Sequence, residues 1–340
     1  MTFLLQWLFP WLSPETVATV VKVLDVIFIL LGVIVTSALL IWGERRLLAL
    51  VQDRYGPNRV GPFGILQVVA DMVKIFFKED WIPNFVDKPT FVLAPAVAMI
   101  TVLLAFVVIP ITPTLGVVDM NVGLLFFFAM TSLGVYAVML GGLASNNKYS
   151  LLGGLRATAQ MLAYEIFMGL ALMGVVAMAG SFDLRTIVLA QKEWWFVFTQ
   201  PLGFVLFVIA GFAATHRTPF DLPEAEHELT AGFHTEYSGM KFGMFMVGEY
   251  VGVVLVSALI TVLFFGGWLG PTFGWAWLQA WQPFFWFCIK TFICICFFIL
   301  VRAALPRPRY DQMMDLGWKL MLPLAVLNVA VTGAYVVGSA

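Results

Sequence analysis

Charge is what this 340-residue sequence has least of: Asp, Glu, Lys and Arg make up 11% of it, against 61% hydrophobic residues, and its mean hydropathy is +0.94. A soluble domain carries roughly a quarter charged residues, so an ordinary soluble enzyme is excluded. Cysteine is scarce as well. Cys288, Cys294 and Cys296 all fall in one apolar run, which offers neither the four thiolates of an iron–sulfur cluster, nor a zinc-ribbon spacing, nor a disulfide framework. No excess of either sign exists: 19 Lys and Arg face 20 Asp and Glu, and nothing in that balance suggests a nucleic-acid partner or an acidic tail. The N-terminus lacks a charged region followed by a small-residue cleavage site, so the first apolar run is expected to remain as a spanning helix.

What the sequence does have is long apolar runs. A span needs about 20 such residues, and eight candidates meet that length, at about 18–42, 91–110, 122–143, 160–180, 197–215, 243–265, 284–302 and 318–338. Gln200-Pro201 interrupts the fifth near its start. Continuous runs suit helices rather than the short alternating strands of a barrel. The expected fold is therefore an all-α integral membrane protein, one polytopic domain of eight spans. Fifteen Lys and Arg lie in alternate loops, 43–90, 144–159, 216–242 and the stretch 302–319, whereas the opposite loops hold only Arg185 and Lys192. Basic loops mark the cytoplasmic side, which places both termini outside. Tryptophans cluster at the ends of the spans and report depth, not chemistry. Neither an internal repeat nor a pair of broken helices of the transporter kind is present.

Two inner loops are long and polar. The first runs Glu44-Arg45-Arg46 through Gln52 and Arg54 to Gly56-Pro57-Asn58-Arg59-Val60-Gly61-Pro62, a density of glycine and proline that makes a fixed turn. Pro62 is suited to the first turn of a following helix. There Gln67, Asp71, Lys74 and Lys78 form one polar stripe on an otherwise apolar surface, the pattern of an amphipathic helix lying in the membrane interface. The arginines can be plain topology signals; alternatively, the interfacial helix leaves a lateral gap that admits a lipid-soluble substrate.

The other loop crowds Asp221, Glu224, Glu226, Glu228 and Glu236 together with His216, His227 and His234. Topology asks for none of these acids. They are read either as a solvated loop, as a metal site (though the spacing is not His-Glu-x-x-His), or as carboxylates whose proximity raises one another's proton affinity and suits them to a proton relay. If 223–230 is helical, Pro223 fits its start. Within the spans, Glu165 and Glu249 are expensive and so read as functional. Lys290, and Lys22 with Asp25, lie toward the outer side, where snorkelling or an i,i+3 pair accounts for them.

Taken together, these segments resemble the H subunits of respiratory complex I, the bacterial counterparts of mitochondrial subunit 1. The matching stretches are Glu44–Pro62 with Lys78-Glu79; Leu155-Arg156 through Gln160 and Tyr164-Glu165; Pro219–Glu224 through Glu236-Tyr237-Ser238-Gly239; Glu249-Tyr250; and Arg302 through Pro306–Asp311. The resemblance covers about 45–320. It implies a subunit of an NADH:quinone oxidoreductase in a bacterial inner membrane, not catalytic alone, which lines the membrane-proximal quinone tunnel. It binds no cofactor itself; NADH, FMN and iron–sulfur clusters belong to partner subunits, and small membrane subunits flank the acidic path. By the same resemblance Arg45, Arg54, Arg302 and Arg307 face quinone, while Glu165, Asp221, Glu224, Glu226, Glu228 and Glu249 carry the proton coupling. One position departs: where many members have Glu three residues before the loop arginine, this chain has Ala214, and His216, water or other carboxylates must serve. The membrane subunit of an energy-converting hydrogenase and a stand-alone proton-coupled carrier are the alternatives; the intact Gly56–Pro62 and Glu236–Gly239 segments resemble the quinone branch better.

Overall fold

The computed structural model describes residues 13–223, 230–272 and 279–339, and among these all regular structure is helical. Among the described residues seven helices are long and apolar enough to cross a membrane. Helix α1 (Pro14–Val51) opens with Ser13 accepting a hydrogen bond from the Thr16 amide. It is followed by the short amphipathic α2 (Gln67–Phe77), then α3 (Lys88–Ala105), α4 (Gly123–Ala144) and α5 (Lys148–Ala179). Short helices α6 (Leu184–Ala190) and α7 (Phe196–Thr199) lead into α8 (Pro201–Ala214); α9 (Gly239–Phe264) and α10 (Gln282–Ala304) come next. The chain ends in α11 (Tyr310–Asp315), a wide π-helical turn (Leu316–Met321) and α12 (Leu322–Ser339).

The fifth apolar run differs from expectation. Gln200-Pro201 splits it, since proline cannot donate to the preceding turn, and the continuous helix left, Pro201–Ala214, is 14 residues long. At about 1.5 Å per residue it covers some 21 Å, short of the roughly 30 Å hydrocarbon core. In contrast α5 begins earlier than its apolar run, because Asn147 caps the Tyr149 amide, so Lys148 and Arg156 ride on helix rather than loop.

Helix α9 is the hub. It is apolar on all sides, as a fully buried helix must be, and 78% of its most apolar window is buried against the rest of the chain. Buried polar side chains fasten the neighbouring helices. Gln160 on α5 donates to the carbonyls of Ala213 and Phe220 (both 2.9 Å), tying α5 to the end of α8 and to the loop after it. Tyr164 donates to the Met313 carbonyl (2.9 Å). The loop residue Tyr237 stacks on Phe91 of α3 with ring centroids 4.0 Å apart, and Lys241 pairs with Asp80. At the opposite end of the molecule, Lys290 does not snorkel: it turns inward, donating to the carbonyls of Phe265, Gly267 and Leu269 beyond the end of α9, with the Trp195 ring 4.6 Å away. Those carbonyls lack helical partners, and an ammonium satisfies them. The expected Lys22–Asp25 pair is not formed among the described residues.

Candidate functional site

The turn after α1 is fixed by its glycines. Gly64 has φ +76° and a Cβ there would lie 2.2 Å from the Pro57 oxygen, so only glycine lets the loop fold back on itself. Phe63 is also left-handed (φ 53°), and its carbonyl accepts from Trp42 Nε1 (3.0 Å) and Arg46 Nη1 (2.7 Å). These left-handed residues confine Pro62 to a single turn, Pro62–Gly64, and postpone α2 to Gln67. Arg45 holds α2 in place through Asp71 (2.7 Å), which Gln67 also serves (3.0 Å). Because α2 stands off from α1 and α9, an apolar cavity of about 280 Å³ opens between the three, walled by Ile34, Ile41, Met72, Phe76 and Met244 and reaching Tyr250.

Beyond Tyr250 lies a cluster of charge. Glu44, in the C-terminal part of α1 and almost completely buried, pairs with Arg302 from α10 and accepts from Arg217 Nη1 (3.3 Å) in the loop after α8. The Arg217 guanidinium lies over the Tyr250 ring at 4.1 Å, and Tyr250 lines the same small recess as Glu44. One carboxylate thus faces two guanidiniums, and the Nε and Nη2 of Arg217 are buried without hydrogen-bond partners among the described residues. Arg307 pairs with Asp221 at 2.8 Å. Burial pushes the Asp221 carboxyl above the usual range, against the pull of Arg307, Arg302 and Arg217; its Oδ1 is buried without a partner among the described residues.

Histidines occupy the floor of the loop. His216, in a left-handed turn (φ 48°), is buried with Nε2 unpartnered among the described residues, and burial lowers its pKa to about 4. His234 is lowered to about 3 by burial and by His216; its Nε2 lies 3.9 Å from Glu249 Oε1. Both imidazoles are therefore neutral near pH 7. Glu165 is held elsewhere: among the described residues its Oε1 accepts from Thr131 (2.9 Å) and Ser132 (2.7 Å) of α4.

Of the ten residues singled out in the sequence, the fold gathers Arg302, Arg307 and Asp221 around Arg217, and sets Glu249 beside His234. Arg45 is spent on anchoring α2, Arg54 turns to Gln52 (2.8 Å), and Glu165 has its own niche. Glu224, Glu226 and Glu228, with the helix expected at 223–230 and His227, lie outside the described residues. Sequence reasoning undervalued Glu44, Arg217 and Tyr250. Glu44 gave a signal, since an acid closing an apolar span serves no topological purpose. Arg217 was indistinguishable from the other basic topology residues. Among the described residues, no group of three or more His, Cys, Asp or Glu is placed to hold a metal ion.

The sequence model of a family described as NADH dehydrogenase matches residues 6–333. The chain belongs to that family. It is also 63% identical over 309 residues to the H subunit of the NADH-quinone oxidoreductase of Methylococcus capsulatus (strain Bath), an alignment covering 91% of this chain and 96% of that protein. The motif resemblance is thereby confirmed at family level, and together with the seven apolar helices of spanning length among the described residues it makes this NADH dehydrogenase family member a multi-pass membrane protein.

Proposed function

We propose that this chain is the membrane subunit of a bacterial proton-translocating NADH:quinone oxidoreductase, in which it forms the membrane-proximal end of the quinone tunnel and passes the effect of quinone reduction into an acidic path. The observation that carries the reading is the shared wall at Tyr250: an apolar cavity open beside the amphipathic α2 meets, through one side chain, the cluster of buried Glu44, largely buried Arg217 and half-exposed Arg302. A lipid-soluble quinone suits the first and its reduced head the second. Electrons come from an iron–sulfur cluster of a partner subunit, fed by that arm's NADH and FMN. Reduction raises negative charge on the quinone oxygens, and preorganised guanidiniums in a dry site stabilise it. As charge grows there, the hold of Arg217, Arg302 and Arg307 on Asp221 weakens, and its proton affinity, already raised by burial, rises further. Along the chain the path so assigned runs from Asp221 by the loop acids Glu224, Glu226 and Glu228 to Glu249 and Glu165, with the buried His216 standing two residues after Ala214.

In this reading the chain crosses the inner membrane eight times, Pro201–Ala214 being the short crossing, with both termini outside and the four basic loops cytoplasmic. The exposed apolar side chains of α2, among them Val69, Val73 and Phe76, rest in the lipid interface. Peripheral iron–sulfur and hydrogenase-like subunits cover the charged cluster, and small membrane subunits adjoin Glu165. In mild detergent the chain is expected to migrate with a redox assembly many times its own 37.8 kDa that reduces quinone; a lone monomer that transports protons would overturn the proposal in favour of a carrier.

A further inference from the structure

At the N-terminal half of α1 the structure holds a second, larger hollow that the quinone reading does not use. It is a cavity of about 500 Å³ between α1, α9 and α10, walled by Phe28, Gly32, Val33, Phe285, Phe292 and Ile295. Phe28, Phe285 and Phe292 are also among the large exposed apolar side chains, so the hollow opens toward the surrounding hydrocarbon. Glycine weakens a helix interior and usually has a packing reason to be there. Gly32 has none among the described residues: a Cβ built on it would meet nothing within 4 Å. The space it leaves belongs to something else.

The side chains above the hollow indicate what. At 3.6 residues per turn Lys22, Asp25, Ile29, Val33 and Thr36 fall on one face of α1, so one cation and one anion stand roughly 10 Å and 6 Å along the helix from Ile29, at its outer end. Among the described residues neither has an ion-pair or hydrogen-bond partner, although they are three residues apart on an exposed helix. An apolar wall below and an unpaired cation–anion couple above match a zwitterionic phospholipid: tail in the hollow, phosphate to Lys22, ammonium to Asp25. A void beside hydrocarbon loses its dispersion contacts until filled, and acyl chains are the neighbours at hand. A quinone head offers only acceptors and would leave Asp25 unanswered.

We propose that this hollow retains one phospholipid of the phosphatidylethanolamine type, its acyl chain against Gly32 and its headgroup between Lys22 and Asp25. The test uses the full chain in its native assembly, reconstituted in vesicles of phosphatidylethanolamine and phosphatidylglycerol, with phosphatidylethanolamine carrying a photoactivatable diazirine near the tail end. Cross-links are expected to concentrate on Phe28–Thr36 and Phe285–Ile295. Gly32→Leu, which fills open space, should lower that yield at least about five-fold without changing the assembly or its quinone reductase rate; Thr36→Leu is the second variant if the first does not assemble. Lys22→Gln with Asp25→Asn should leave tail labelling but reduce the preference for phosphatidylethanolamine over phosphatidylglycerol by about three- to five-fold, the scale of a partly exposed charge contact. Labelling spread evenly over other exposed apolar faces, such as Leu125, Leu133 and Tyr136 of α4, would overturn the proposal. So would unchanged yield in Gly32→Leu, or a partner helix or quinone captured in the hollow in place of the lipid.

Discussion

Glu44 and Lys290 are both charges buried within the helical bundle, and the difference between their surroundings separates chemistry from architecture. Lys290 is satisfied by its own chain: three backbone carbonyls beyond the end of α9 take its ammonium protons, and nearby Gln191 bridges the Val262 carbonyl and the Gly266 amide. Around Glu44 the polar groups are not all matched. One carboxylate serves two arginines, and Arg217, Asp221 and His216 each keep a buried polar atom without a partner among the described residues. Buried polar groups are normally hydrogen-bonded, so the exceptions need a reason. A site that must accept a charged reaction centre and release protons supplies one; a helix staple does not.

The sharpest break in that comparison comes from neutralising each charge in turn. Glu44→Gln leaves Arg217 and Arg302 without their counter-charge, and quinone reduction is expected to fall by at least about tenfold, while electron transfer from NADH to a water-soluble acceptor in the same assembly is unchanged. Lys290→Met should do the reverse. It strands three carbonyls at a cost of about 1–3 kcal/mol, which lowers the thermal midpoint of the assembly but leaves the turnover of what remains folded near the parental rate. Equal losses of turnover in both would erase the distinction.

Smaller effects sharpen it. The pKa values of His216 and His234 are lowered to about 4 and about 3, whereas the unfolded imidazole titrates near 6.5. Between those limits the unfolded loop binds more protons than the folded one, so stability is full above about pH 6.5 and is lost as pH falls toward 4. Asp221, with its affinity raised, works in the opposite sense by losing stability as pH rises through its folded value. Amide exchange in 215–222 and 230–238, corrected for intrinsic rates, is expected to quicken roughly tenfold or more from pH 7 to pH 5, with no such change around Lys290. Glu165→Gln should lower the protons moved per quinol about two-fold or more while quinone reduction continues, read from acidification in vesicles. Arg54→Ala, an exposed side chain bonded to Gln52, is expected to raise the KM for a short-chain quinone by only about two- to five-fold.

Helix positions were legible because hydrocarbon demands continuous apolar runs, and the break at Gln200-Pro201 was visible for the same reason. Boundaries were less so. Asn147 starts α5 twelve residues before its apolar run begins, and capping is a local hydrogen-bond event that hydropathy does not sense. Site residues were read according to their cost: Glu249 and Glu165 stood out as acids inside spans, whereas Arg217 was hidden among arginines that positive-inside bias already explained. Lys290 was taken for a snorkelling side chain because the open carbonyls it serves belong to another helix. The hydroxyls of Thr131 and Ser132, which hold Glu165, are ordinary residues of an apolar helix until α4 and α5 are packed together.

The most direct test of the account is the Tyr250→Phe variant, which keeps the ring that divides the cavity from the charged cluster and removes only the hydroxyl beside Glu44 and Arg217. Measured in the intact assembly, quinone reduction is expected to drop several-fold with a shifted pH profile, and NADH oxidation by a water-soluble acceptor to stay at the parental rate. Parental quinone kinetics and an unchanged pH profile in Tyr250→Phe, with the assembly intact, would contradict the claim that quinone chemistry meets this chain at the Glu44–Arg217–Arg302 cluster.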